Sequence, residues 1–477
     1  MINYLTDVDK DFIISELVKR IDSMSADLAL LKEENTQLKT RVAELEAQLN
    51  RNSTNSSKPP SSDGYQKKPA FPKESKGKKG GQRNHKGNNL HQIIHPDKIV
   101  KCIPDICSCG HEFHQSEFTL AEKRQVFDLP QPKLEVTEYQ IHKANCPVCG
   151  LSNKGIVPQG VNAPAQYGNG VKSYVVMLNV HYKMPYKKIQ LLFTDLFGYP
   201  INESTIFSAA KKCYNKLGNT EQSIKSKISS NDVAHADETG IRIEGKLQWL
   251  HTASTPFFTY LFVHANRGKL ALESDKSILN RIKGWLVHDS WSSYFRFNNY
   301  KHAMCGAHIL RELQGLVDSE QSKWAKTFKA FLMNVYKKPF DERVKQKQVI
   351  ENRFRLICKI GEQIEPSPLK TSGKRGRYKR TKGRNLVERL IKYQDAVLAF
   401  AFNEQVPFTN NLAERDIRPT KLKQKISNSF RSFKGAEFYA RIEGFISTAR
   451  KNNKNIFNEL FTTFDGHNFI TEISGAK

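Results

Sequence analysis

Leucine or methionine recurs every seventh residue at Leu17, Met24, Leu31, Leu38 and Leu45. Three residues before each of them, and once more at the end, stand Ile14, Ile21, Leu28, Asn35, Val42 and Leu49. A strict period of seven makes helices wind left-handedly around one another, because an isolated helix drifts off a 3.5-residue seam. Branched residues at the first position with leucine at the second favour two parallel strands, and a single Asn35 in the seam specifies register and dimer state. The flanking residues Asp27 and Lys32, Glu34 and Lys39, and Arg41 and Glu46 are oppositely charged across such a dimer. Residues 8–50 are therefore expected to form a coiled-coil dimerisation helix.

A chain of 477 residues exceeds one ordinary core, so several domains follow. Lys and Arg number 75 against 48 Asp and Glu, a formal charge of +27, which favours a polyanionic partner, nucleic acid first. No apolar run has the length of a spanning helix, and the first ten residues, MINYLTDVDK, carry acids where a secretory signal carries bases. The expectation is a cytoplasmic protein without a membrane partner. Eight cysteines in a long signal-less chain point to thiols or metal ligands. No Gly-Lys pair precedes Ser or Thr, so a Walker-type ATPase is excluded.

Residues 51–98 form a basic linker rich in Ser, Pro, Gly and Lys, without a core pattern, suited to lie along phosphates. Next comes an expected zinc-binding module over 99–155. Cys107, Cys109, Cys146 and Cys149 form two close pairs, and four thiolates suit tetrahedral Zn2+. The first pair has a one-residue gap, which leaves Cys102, His111 or His114 as a replacement for one ligand. The alternating segment between the pairs, EKRQVFDLPQPKLEVTEYQIHKA, predicts strands and a zinc-ribbon-like unit. Over 165–220, apolar residues at Ile189, Leu192, Phe193 and Leu196 predict a helix. Gly198 and Pro200 break it, and Asn202 or Ser204 caps a second, the spacing of a helix-turn-helix DNA reader.

Residues 230–310 change character. DVAHADETGIRI, LQWLHTAST and FFTYLFVHA predict three successive strands, followed by a helix in LALESDKSILNRIKG. The strand WLVHDSW and a strand entering a helix, KHAMCGAHILREL, come next. That order suits a ribonuclease-H-like α/β core. Asp237 lies in the first strand and Asp289 closes the fourth; a carboxylate on such strands is costly without a metal or hydrogen bonds. Glu414, in FTNNLAERDIRPTK, is the third acid, on a helix that opens near Thr409 or Asn410; its alternative is a salt bridge to Arg418. Glu238 is expected on the opposite sheet face and Asp416 off the Glu414 face. Residues 311–400 read as a helical insertion with a basic loop at 370–384, and residues 401–465 complete the core. Arg415, Arg418, Lys421 and Lys423, with Arg375, Arg377, Lys379 and Arg380 of the loop, are candidate DNA-phosphate contacts. Cys305 and His308 read as a structural pair beside the site. His235 and His288 read either as orienting metal water or as buried strand histidines.

The segments NSSKPPSSDG, GGQRNHKG, the paired cysteines, HADETG, HDSW, CGAHILREL and NNLAERDIRP, in that order, resemble insertion-sequence transposases of the IS66 family, in the DDE group. The resemblance spans essentially the whole chain. It implies a multidomain α+β protein: coiled coil, zinc module, helix-turn-helix and a ribonuclease-H-like core with a helical insertion. It implies the triad Asp237, Asp289 and Glu414, binding to terminal inverted repeats, and accessory proteins from the same element. The expected chemistry is cleavage and strand transfer by two-metal phosphoryl transfer with Mg2+ or Mn2+, Asp237 bridging the ions. The expected partners are DNA, at element ends and target, and a second protomer or more. The alternatives are a catalytically inactive DNA-binding regulator and a structure-selective nuclease of the same fold.

Overall fold

The computed structural model describes residues 7–56, 90–104, 106–115, 118–367 and 380–475. The chain divides into two units, one of Met1–Phe71, Tyr167–Pro185 and Ser204–Lys477, the other of Pro72–Gln166 and Tyr186–Glu203. Most of the linker, and Arg375, Arg377 and Lys379 of the basic loop, lie outside the described residues.

In the larger unit, helix α1 runs unbroken over Asp7–Leu49, a stretch without Gly or Pro. Every heptad position from Ile14 to Leu49 is exposed; Leu31 and Leu38 are 62% and 65% accessible. The helix ends in a polar turn, where Thr54 N–H donates to Asn52 Oδ1 at 2.8 Å and Asn55 Nδ2 donates to Asp318 Oδ2 at 3.0 Å.

The smaller unit holds two cysteine turns of similar build. An isolated bridge pairs Ile106 with Glu112 around the first, where Cys107 N–H donates to His111 O and Gly110 N–H to Cys107 O. Strands β1 (Lys143–Asn145) and β2 (Ser152–Lys154) flank the second, where Cys146 N–H donates to Leu151 O and Gly150 N–H to Cys146 O. Gly110 and Gly150 take φ of 89° and 74°, which closes both turns in a conformation that suits only glycine without strain. Of the strands expected over 122–144, only the end forms, where Lys143 and Ala144 open β1. Val126, Leu129 and Val136 are nearly fully exposed, and Pro130 and Pro132 lack the donors a ladder requires. Alternation without a partner strand or a surface to cover leaves extended chain.

Two helices form where the sequence predicts a pair. Helix α2 (Asn169–Val176), with a π turn at Met177–His181, precedes them; α3 covers Tyr186–Phe197 and α4 covers Glu203–Lys216. Gly198 ends α3 with φ 73°. Helix α5 spans Gly218–Ser229.

The central sheet has the order β5-β4-β3-β6-β7. Strands β3 (Val233–Ile243), β4 (Lys246–Ser254) and β5 (Thr259–His264) are antiparallel neighbours; β6 (Trp285–His288) pairs parallel to β3, and β7 (Lys301–Met304) parallel to β6. Glu244 and Gly245, both with positive φ, make the two-residue β3–β4 turn, whose twist matches the strands. The helix expected over 269–284 is reduced to one turn, α6 (Lys269–Leu272), and a 3-10 turn at Leu279–Arg281. Ser274 Oγ bonds back to Ala271 O and Ser277 Oγ caps Leu279 N–H, so side-chain hydroxyls compete with the helical ladder.

Past the sheet come α7 (Gly306–Glu320), α8 (Lys323–Lys337), α9 (Phe340–Lys345), α10 (Lys347–Ile364), α11 (Lys382–Lys392) and α12 (Gln394–Phe402). The apolar faces of α7, α8, α10, α11 and α12 share one core with β6 and β7, built on Trp324, Phe328, Phe354 and Leu390, while α9 buries no residue. Helix α13 (Asn411–Ser427) then returns against β3 and β4, and α14 (Phe433–Lys451) covers β5; α15 (Ile456–Asp465) and α16 (Phe469–Gly475) follow.

Candidate active site

Asp237 projects from the middle of β3, the central strand. The register pairs His235 with Val287; continued two residues, it sets Asp289, the first residue after β6, beside Asp237. Glu414 stands in the first turn of α13. Asn410, only 1% exposed, holds that turn in place. Its Nδ2 donates to Ala236 O at 2.8 Å, its Oδ1 lies 2.9 Å from His235 Nδ1, and its backbone N–H donates to Cys305 Sγ at 3.2 Å. One residue thus ties the start of α13 to β3, through its side chain, and to the β7–α7 junction, through its backbone.

Burial holds the Asp237 carboxyl well above the usual carboxylate range, and the charges of Glu238, Asp289 and Glu414 push it further. Burial raises Asp289 as well, against the Trp291 N–H that donates to its Oδ1 at 2.9 Å. The charges of Asp289 and Glu414 both reach Asp237, but among the described residues the ligand atoms of the three acids do not gather within 4.8 Å of one another. Glu414 does not pair with Arg418. Its Oε1, buried and without a hydrogen-bond partner, lies 3.6 Å from Arg311 Nη2 and 3.8 Å from His308 Nδ1, itself buried and unbonded. Ligand atoms of Cys305, His308 and Glu414 lie within 4.8 Å of one another, so the Cys-x-x-His pair has a third member that sequence spacing did not show. Burial lowers His308 to about 4 and raises Cys305 to about 11. Hard oxygen donors that repel one another, one of them unsatisfied, fit divalent cations.

The neighbouring acids have other partners. Glu238 points away from Asp237, as strand alternation requires, and bonds Arg267 and Tyr294. Asp416 is buried beneath α13, accepting from Ser254 Oγ at 2.7 Å and Lys451 Nζ at 2.6 Å. His235 faces Asn410, and fully buried His288 contacts His302 Nδ1 at 3.0 Å; burial drives them to about 4 and about 3. Both are buried strand histidines with protein partners.

Arg415 and Arg418 are exposed on α13. Lys421 is exposed as well, with Nζ on Gly240 O at 3.0 Å, three residues along β3 from Asp237. Lys423 departs from expectation. It is 8% exposed, and its Nζ donates to Asn179 O at 3.2 Å, so it is packed inside rather than offered to phosphate. Two residues on a helix span about 200°, so Lys421 and Lys423 face opposite ways. Arg380 is paired with Glu388.

In the cysteine module, neighbouring hydrogen bonds, chiefly from the Cys109 and Cys149 backbones, lower the thiols of Cys107 and Cys146. Each pair is thus assembled on its own turn. The two pairs do not converge into one cluster among the described residues.

Residues 104–150 match the zinc-finger binding domain of transposase IS66, which gives the class, a transposase with a zinc-binding module. Residues 164–438, more than half of the chain, match the model described as Transposase IS66 family, and the chain belongs to that family; its partner is DNA. Residues 9–91 match a family of unknown function. No curated protein matches the chain. No described helix is long and apolar enough to cross a membrane.

Proposed function

We propose that the chain cleaves DNA at the terminal inverted repeats of an insertion sequence and joins the freed ends to a target, with Asp237, Asp289 and Glu414 as the catalytic residues. The observation that carries this reading is the sheet order β5-β4-β3-β6-β7 with Asp237 in the central strand, Asp289 just past the end of the neighbouring strand β6, and Glu414, whose Oε1 makes no hydrogen bond, on the helix packed against β3 and β4. Three antiparallel strands followed by two parallel ones is the order of a ribonuclease-H-like core. Asp237, Asp289 and Glu414 would hold Mg2+ or Mn2+, which supplies activation of the attacking oxygen and neutralisation of the leaving one. Asn410 fixes the start of the Glu414 helix. Arg415, Arg418 and Lys421 carry the phosphates past the acids. Hydrolysis breaks one phosphodiester and leaves a 3′-hydroxyl; that hydroxyl then attacks a target phosphodiester and expels a second 3′-oxygen, so no nucleotide is consumed. The exposed heptad seam of α1 pairs two protomers, which matches two element ends. Accessory proteins of the element complete the assembly.

Full-length protein, Mg2+ and pre-cleaved element ends test this directly. Wild type joins ends to target, and Asp237→Asn loses joining at least a thousandfold while keeping its affinity for end DNA. Joining by Asp237→Asn at the wild-type rate refutes the assignment.

A further inference from the structure

Arg267 is built into the molecule more firmly than a surface arginine. Its guanidinium lies over two indoles, with Cζ 5.0 Å from the Trp249 ring centre and 4.4 Å from that of Trp291. Behind it Glu238, 1% exposed, accepts from Nε at 2.8 Å and lies 2.7 Å from Nη2, both through Oε1. Tyr294 O–H donates to the other oxygen of Glu238. The guanidinium is thus held by two rings and along one edge, yet 40% of the side chain remains open to solvent, and Nη1 has no protein partner among the described residues.

The location matters as much as the build. Trp291, one of the two rings, is the residue whose N–H bonds Asp289 Oδ1. Trp249 projects from β4, opposite Gly240 of β3. The Arg267 charge reaches Asp289, where it opposes the effect of burial. A guanidinium held by two rings, with one edge anchored and the other edge open beside an acidic site, matches a phosphate, whose paired oxygens accept that planar fork.

We propose that Arg267 is a backbone-phosphate ligand for the DNA strand that enters the active site, with Trp249, Trp291 and Glu238 as its mount. This inference rests on the transposase reading above and deepens it. It also accounts for Glu238, since a buried carboxylate beside the acidic site would otherwise add only repulsion.

The competing account is that Arg267 only neutralises Glu238. Comparing full-length Glu238→Gln with the double variant Glu238→Gln/Arg267→Gln separates the two, because the double variant leaves no buried charge unpaired. The probes are a duplex with the element's own end sequence and an unrelated duplex of equal length, titrated without Mg2+ at several salt concentrations. The expected result is a loss of about tenfold in affinity on both duplexes, a salt slope shallower by about one, and an unchanged Tm. Adding Arg267→Lys to Glu238→Gln fails to restore the affinity, since an ammonium has no planar fork to lay over the indoles. A double variant that binds both duplexes with the affinity and slope of Glu238→Gln overturns the proposal. These readouts need no chemistry, so their failure is distinct from failure of the joining assay.

Discussion

Asn410 joins three parts of the chain that lie far apart in sequence: β3, the β7–α7 junction and the start of α13. Its replacement by alanine leaves Ala236 O and His235 Nδ1 buried without partners, at a cost of about 2–4 kcal/mol. The expected outcome of Asn410→Ala is a lower Tm and a joining rate reduced far more than end-DNA affinity; equal losses in both would show that Asn410 only holds the fold together. Lys423 offers a contrasting case. Burial, with the charge of Lys183, pushes its pKa down to about 8. Above its unfolded pKa the residue is neutral in both states and costs nothing. As pH falls from 10.5 toward 8 the unfolded chain takes up a proton that the buried folded amine does not, a penalty that reaches ~3 kcal/mol at about pH 8 and persists below it. Lys423→Met is therefore expected to raise Tm at pH 7, flatten the Tm profile between pH 8 and 10, and leave DNA affinity unchanged, as calorimetry and binding titrations would read. The proposed acids Asp237 and Asp289 could be nominated from the sequence because each stands in or at the end of an apolar strand pattern, and Glu414 because it opens a helix in a basic stretch. Asn410 and Lys423 could not, because a polar residue near a helix start, or a lysine in a basic run, looks the same whether or not another element covers it.

Among the elements, α1 displays an apolar seam along 43 residues with every heptad position exposed. Leu31→Glu combined with Leu38→Glu puts four like charges into a two-stranded seam. Light scattering is expected to show half the wild-type mass, with loss of far-UV helicity from a helix that has no other support. An unchanged mass would mean that protomers associate elsewhere. Strands β3 to β7 were readable from apolar runs and turn residues, with Asp289 one residue past its strand. The strands expected over 122–144 were not realised before Lys143, although the segment alternates. A strand needs a partner, and which segments pair is decided by contacts that a local pattern does not contain. The helix predicted at 269–284 fails for a local reason, the serines that bond back to their own backbone.

Across the whole molecule, the +27 charge and the IS66 family match point the same way, to DNA. The zinc module adds a prediction of its own. Cys146→Ser with Cys149→Ser is expected to remove the bound zinc, by elemental analysis, and to open residues 90–166 to protease, while the central sheet and its melting transition persist. Retention of zinc by that variant would exclude the Cys146–Cys149 pair as ligands. The sequence alone determined the periodic helix α1, the two glycine-closed cysteine turns and the succession of core strands, because each depends on residues within a few positions of one another. Tertiary structure decided that Glu414 turns toward His308 and Arg311 rather than Arg418, that Lys423 is buried, and that Arg267 lies over two tryptophans. Those outcomes depend on which distant elements meet, and side-chain partners across such contacts are chosen by packing of the whole core, not by the order of neighbours along the chain.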